Sequence, residues 1–381
     1  MATQAEIYTA VSEKLPKNFP FYDWVPKPLG IIFLVVLFIP IMTVSGAYTV
    51  NSSEMVGGLG IQSEHIAFIS FTTSIGMAAF SPFFYSLVSV RRQKMMSLVG
   101  FSILAIQSYI CANTDSMFVL ALNSLIMGFV RQTLLMCNLF TLIKYGFGIE
   151  ATRNVSPGNE PKDEAGWDAL DTEKKASQPI IYFFFMLLGQ IGTWITAWFA
   201  YNYHWQMVYY AMLGAILVAI LITLLCMPYN PYQTKRSPLS FSKFGNVVVF
   251  CLMCCSFCYV MVYGKVYDWF DDYSICLATA ICIVSTLLFV YLEKTRRSPY
   301  FMLKAFKSRS IQGGILLFIG LMICNSSSML VNIFVGVGMK TDQIQVAALG
   351  NWVLLGYFIG LVTILILNNK GVHFKWFFAL G

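Results

Sequence analysis

The sequence predicts an all-α membrane protein with ten complete transmembrane helices and the start of an eleventh. Three observations predict it. Only 11% of the 381 residues are charged and 57% are hydrophobic, against roughly 25% charged in a soluble domain. So few charges cannot cover a chain of this size in water. The apolar residues fall in continuous runs near the ~20 residues that a spanning helix needs, and continuity rather than alternation argues against a β-barrel. Finally, 22 of the 25 Lys and Arg fall on one side of an alternating topology, the exceptions being Lys265, Lys340 and Arg131. That bias puts the N-terminus in the cytoplasm.

The elements follow in order. Residues 1–27 form a polar cytoplasmic lead-in with Glu6, Glu13, Lys14, Lys17, Asp23 and Lys27. It is not a signal peptide, because the apolar run after it is too long for one. Spans are expected at 28–50, 65–89, 94–112, 117–145, 179–201, 206–227, 246–264, 274–292, 311–335 and 343–367, with an eleventh starting at Phe374. The outer loops are short. The one sizeable insertion, 146–178, is rich in Asp, Glu, Lys, Gly and Pro and reads as a solvated, partly disordered cytoplasmic connector. The loop after span six carries three prolines. The basic, amphipathic loop after span eight suits the headgroup region. A weak repeat is visible, since basic loops follow both span two (SVRRQKMMSLVGF) and span ten (NNKGVHFKWFFALG). Duplicated bundles are the usual construction of secondary transporters.

Within the spans, Arg131 is the one permanent charge, near the middle of span four, and no acidic residue lies mid-span. A central Arg costs roughly 2.5–3.5 kcal/mol to insert, so it belongs in a bundle interior or a wet cavity. Ser124, Gly128, Arg131 and Asn138 share its helical face. Two readings stand: a substrate or ion path, or a structural Arg bonded to the carbonyls of a neighbouring helix. Softer polar stripes are Asn325, Ser328 and Asn332 in span nine; Thr43, Ser45, Thr49 and Asn51 in span one; and Gln190, Thr193, Trp194 and Thr196 in span five. Each is either interhelical packing or a ligand contact. Together they predict a polar cavity between spans one, four, five and nine, with aromatic walls for an amphipathic ligand.

Other chemistry is not indicated. Cys251, Cys254, Cys255 and Cys258 form CxxCCxxC along one stripe of span seven. Four thiols on one rigid helix cannot surround a metal tetrahedrally, so they read as small packing residues and no metal, cofactor or disulfide is expected. His65, His204 and His373 are scattered without a nucleophile or acid around them, and no Walker loop is present. No enzyme is expected. The net charge of +7 is a cytoplasmic-face feature rather than a nucleic-acid footprint.

Several stretches resemble the major facilitator superfamily, specifically its fourteen-helix drug:proton antiporter branch. GKVYDWFDDYS is similar to that branch's Gly…Tyr-Gly-Trp loop, and LEKTRRSPYFMLKAFKSRSIQGGILL to its basic stretch entering helix nine. GTWITAWFAYNYHWQMVYYAMLGAI resembles the antiporter motif: Gly192, Trp198 and Trp205 match, while Thr193 stands for Pro and Thr196 and Ala197 for a Gly pair. In the loop after span two, Leu87, Arg91, Arg92 and Lys94 match, while Tyr85 replaces Gly and Ser89 replaces Asp. Gly128 matches on span four, and Ser124 stands where the family has Arg.

The resemblance implies a six-helix N-terminal bundle at 28–227, a linker at 228–310 with two extra spans, and the start of a second bundle at 311–381. It implies a C-terminally incomplete protein of the inner membrane. It further implies alternating-access export of amphipathic or lipophilic compounds, with conformational roles for Arg91, Arg92, Lys94, Gly192 and Trp198. Arg131, Ser124, Asn138, Gln190, Trp194, Asn325 and Asn332 are the candidates for substrate binding or coupling. Arg does not titrate at accessible pH, so the candidate proton carriers are Glu54, Glu64 or an acid in the missing part, with a solvated outer loop end as the other reading of both glutamates. Exporters of this branch often work with a periplasmic adaptor and an outer-membrane channel. The departures from the motifs bear on proton antiport more than on transport. Two further readings are kept: an uptake permease for a small anion or nutrient, and a scaffold or sensor with a transporter fold that does not transport.

Overall fold

The computed structural model describes residues 20–50, 93–147, 164–229, 241–295 and 341–369 continuously, and parts of 55–83 and 307–339. Ten helices lie in this set: α1 Lys27–Val50, α2 Ser63–Ala79, α3 Gln93–Asn113, α4 Met117–Phe147, α5 Glu164–Asn202, α6 Gln206–Cys226, α7 Phe241–Tyr263, α8 Tyr273–Thr295, α9 Ile311–Gly320 and α10 Gln343–Asn369. No strand occurs among the described residues.

Seven of these helices hold stretches long and apolar enough to cross a membrane: those in α3 to α8 and in α10. The apolar stretches Lys27–Thr43 of α1 and Ile311–Gly320 of α9 are shorter. This is the make-up of an all-α, multi-pass membrane protein. The seven spanning stretches are predominantly apolar, as a lipid surround requires. Many of their Ser and Thr hydroxyls are satisfied locally. Ser108 Oγ donates to the Leu104 carbonyl at 2.7 Å and Thr223 Oγ1 to that of Ala219 at 2.7 Å, where no water would serve them.

Helices α1 to α6 form one bundle. α1 packs on α5, α4, α6 and α2; α2 on α4; α3 on α6 and α4; and α5 on α6. The α7–α8 hairpin joins it through α7, which lies against α2. Tyr263 and Tyr259 of α7 meet His65 and Phe68 of α2 edge-on, with ring centroids 5.2 and 5.8 Å apart. At the tip of the hairpin, Gly264 is needed for close approach. A Cβ there would sit 2.8 Å from the Trp269 ring and 2.7 Å from the Val260 carbonyl. Beyond the tip, Asp272 accepts from the Ser274 amide at 2.6 Å and from its hydroxyl. Those bonds hold its carboxyl below the usual range. Helix α10 packs on α5 and touches α1.

Two expectations are corrected. Residues 164–178, read as part of a solvated, partly disordered connector, continue α5 as helix. The stretch EAGWDALDTEKKASQ is rich in Ala, Glu and Lys, which favour helix, and its first residue, Glu164, is acidic, which suits a helix N-terminus. Residues 20–26, read as polar lead-in, are tied into the bundle. Phe21 and Val25 are fully buried, Phe21 meets Tyr145 of α4 edge-on at 5.7 Å, and the Tyr22 amide donates to the Cys226 carbonyl at 3.0 Å.

Lys94 works at that same end. Its Nζ donates to the carbonyls of Leu224 and Met227 at 2.9 and 2.8 Å. A cation on the last carbonyls of α6 satisfies orphan acceptors and opposes the helix dipole. Lys94→Met is expected to lower stability by about 1 kcal/mol, read as an earlier midpoint in thermal unfolding of the purified protein. An unchanged midpoint would mean that water serves these carbonyls equally well.

Candidate functional site

The crossing of α2 and α4 sets the first group of candidates. Thr72 and Gly76 on α2, and Ser124 and Gly128 on α4, are small residues four apart, the spacing that lets helix backbones approach in a membrane. The two glycines are used reciprocally. A Cβ on Gly76 would strike the Leu125 carbonyl, and one on Gly128 would strike the Thr73 carbonyl. Arg131 lies one turn further along α4. It is 8% exposed, and its Nη1 donates to Met77 Sδ at 3.4 Å. Its Nε is buried with no hydrogen-bond partner among the described residues. A thioether is a weak acceptor for a group with five donors. No acidic residue lies mid-span in the sequence.

The stripe predicted on α4 divides between two neighbours. Arg131 faces α2. Asn138, fully buried, donates to the Leu134 carbonyl at 2.9 Å and accepts from Gln93 Nε2 of α3 at 3.5 Å. Ser124 is also fully buried. Sequence reasoning missed Asn123, whose Nδ2 donates to the Gln107 carbonyl and to Cys111 Sγ, both at 2.9 Å, joining α4 to α3. Its spacing off the Arg131 stripe hid it.

A second group is brought together by α5 and α10. Gln190 Nε2 donates to the Ala347 carbonyl at 2.8 Å and to Asn351 Oδ1 at 3.1 Å, and Trp194 Nε1 donates to the same oxygen at 3.0 Å. Gly350 leaves room for the Gln190 carboxamide. Asn351 was missed, although a lone Asn inside an apolar span was its signal. The other polar residues of α5 are spent locally, with Thr193 donating to the Gly189 carbonyl and Thr196 to that of Thr193. Thr43 of α1 likewise donates to the Pro40 carbonyl at 3.1 Å.

The remaining candidates fall elsewhere. Gly192 faces α1, where a Cβ would sit 3.3 Å from the Thr43 amide nitrogen. Trp198 is 49% exposed and stacks edge-on with Phe199 at 5.0 Å, which suits an aromatic belt. Glu64 stands in the first turn of α2, accepting from Ser63 Oγ at 3.0 Å. Glu54, Arg91, Arg92, Asn325, Ser328, Asn332, Asn51 and the side chains of Ser45 and Thr49 lie outside the described residues. Cys251, Cys254, Cys255 and Cys258 are half-buried free thiols along α7, and no metal-holding group of His, Cys, Asp or Glu occurs among the described residues.

One buried acid was also missed. Glu293 is 5% exposed and accepts from Asn246 Nδ2 at 3.2 Å. The signal was the mirror symmetry of the hairpin. Phe250 and Phe289, with ring centroids 5.9 Å apart, pair four residues inward from Asn246 and Glu293.

No protein-family model matches this chain, and no curated protein matches it.

Proposed function

We propose that this chain is a secondary active transporter of the inner membrane, with its N-terminus in the cytoplasm, exporting amphipathic or lipophilic small molecules by alternating access. The observation that carries the reading is the pattern of helix contacts. Exchanging α1 with α4, α2 with α5 and α3 with α6 converts α1·α5 into α2·α4 and α1·α6 into α3·α4, and leaves α1·α4 and α3·α6 unchanged. Only the neighbours α1·α2 and α5·α6 lack a counterpart among the stronger contacts. Such a three-plus-three arrangement is how major facilitator bundles are built, and the motif resemblance points to the same superfamily. In this reading α1–α6 is the first moving half, α7–α8 is an inserted hairpin, and α9 and α10 open the second half. Glu54 and Glu64 are the proton carriers if export runs on a proton gradient.

The test is flux. Protein reconstituted in liposomes is expected to move ethidium against its gradient when a pH difference is imposed, and to stop when an uncoupler removes it. Flux that ignores the pH difference sinks proton antiport. No flux of any amphipath, with ligand-dependent stabilisation retained, returns the chain to the scaffold or sensor reading.

The guanidinium, with one thioether and no carboxylate as partner among the described residues, favours a second reading, an uptake permease for a small anion, in which the anion supplies the counter-charge to Arg131.

A further inference from the structure

The junction of α5 and α10 has a hydrogen-bond arrangement with one direction left open. Gln190 and Trp194 both donate to Asn351 Oδ1. Two convergent donors fix which end of the carboxamide is oxygen, so the amino group points away from α5. Asn351 is exposed, and its two N–H donors have no acceptor among the described residues. Asn351 lies seven residues into the apolar stretch Ile344–Leu367, about 10 Å from its end. A free carboxamide edge at that depth is unfavourable against hydrocarbon and belongs on a water-accessible gap.

The same seam is aromatic further along. Phe183 and Phe358 pair with centroids 5.6 Å apart, and Tyr182 and Tyr357 pair at 6.1 Å. Phe183 is seven residues from Gln190, and Phe358 is seven from Asn351. Each therefore lies on the same helical face two turns away, about 10 Å along the axis. The seam thus offers a fixed neutral donor at one end and ring walls at the other.

We propose that Asn351 is a ligand-binding residue of this seam. It donates a hydrogen bond to a neutral acceptor, a carbonyl or ether oxygen, on an amphipathic compound whose aromatic body runs toward Phe183 and Phe358. Gln190 and Trp194 position the amide, and their hydrogen bonds are spent on it rather than on the ligand. The inference rests on the transport reading only for what happens to the compound once bound.

The experiment measures binding to the full chain in lipid nanodiscs, with empty nanodiscs subtracted. The probe is 6-propionyl-2-dimethylaminonaphthalene, whose emission shifts to the red when its carbonyl accepts a hydrogen bond. The control is 2-dimethylaminonaphthalene, the same body without the carbonyl. Asn351→Leu is expected to weaken the carbonyl probe by about tenfold, abolish its red shift, and leave the control unchanged. Asn351→Asp keeps the acceptor for Gln190 and Trp194 but removes the outward donors, so it is expected to lose the carbonyl probe while the melting temperature holds. Phe358→Ala is expected to weaken both probes. Equal effects of Asn351→Leu on both probes, or none on either, overturn the proposal. So does a lowered melting temperature with carbonyl-probe binding intact, which makes Asn351 a helix-to-helix bond. Selective binding without flux in liposomes defeats the transport reading alone, and flux without selective binding defeats this one alone.

Discussion

Gly128→Ala is expected to destabilise the protein by about 2–3 kcal/mol, a large loss for one added methyl group. The reason is what the methyl meets. Many glycines in this chain face open space, or face the far end of a flexible side chain that can swing away. The Cβ of residue 128 instead collides with the Thr73 carbonyl, and that of residue 76 with the Leu125 carbonyl. Backbone carbonyls are held by their own helices, so α2 and α4 must separate along the crossing. Separation also loosens the packing around Arg131, one turn away. Gly76→Ala is expected to cost a similar amount. The double variant is expected to cost less than the sum, because one separation relieves both collisions. Gly214→Ala on α6 is the control. Nothing lies within 4 Å of its Cβ, and Ala is favoured over Gly inside a helix by roughly 0.5–1 kcal/mol. Thermal unfolding of the four proteins in one detergent decides the matter. A Gly128→Ala midpoint equal to that of Gly214→Ala would mean that the helices do not cross this closely.

The helices were legible in the sequence because lipid imposes one requirement everywhere, a continuous apolar run of sufficient length. Seven helices long and apolar enough to span a membrane lie at seven of the predicted places. What runs of this kind conceal is which helix touches which. A helix apolar along most of its surface has no stripe that names its partner; the candidates of spans four and five fall into two groups, and those of span nine lie outside the described residues. Arg131 stands at the α2–α4 crossing, and Gln190 and Trp194 stand at the α5–α10 seam. The crossing itself was half visible, since Gly128 was singled out while its partner Gly76 was not. Asn351 escaped because a single Asn makes no stripe. Glu293 escaped because reading it as the first residue of a basic loop ignored the pairing of the hairpin about Trp269 and Phe270. The extension of α5 to Glu164 escaped because charge-rich composition was read as solvated loop, although the same residues are good helix formers.

Arg131→Met is expected to move stability and transport in opposite directions. The guanidinium is buried, is matched by one thioether, and has no acid at its depth in the sequence. Placing Arg at mid-span costs roughly 2.5–3.5 kcal/mol on insertion scales, and replacing a poorly compensated buried charge with an apolar residue of similar volume is commonly neutral or stabilising. A gain of about 2 kcal/mol in unfolding free energy is therefore expected. Flux of an anionic amphipath such as 8-anilinonaphthalene-1-sulfonate is expected to fall at least tenfold, because its sulfonate loses a charged donor. Flux of ethidium, a cation, should not fall with it if Arg131 acts as an anion clamp. Arg131→Lys sharpens the test. It keeps the charge but replaces a planar fork with a point charge, so partial flux of the anion is expected, along with retention of most of the instability. The opposite pattern, a lowered melting temperature for Arg131→Met with both fluxes intact, would show that the guanidinium braces the α2–α4 crossing. The charge would then be structural, and the anion-permease reading would lose its one support.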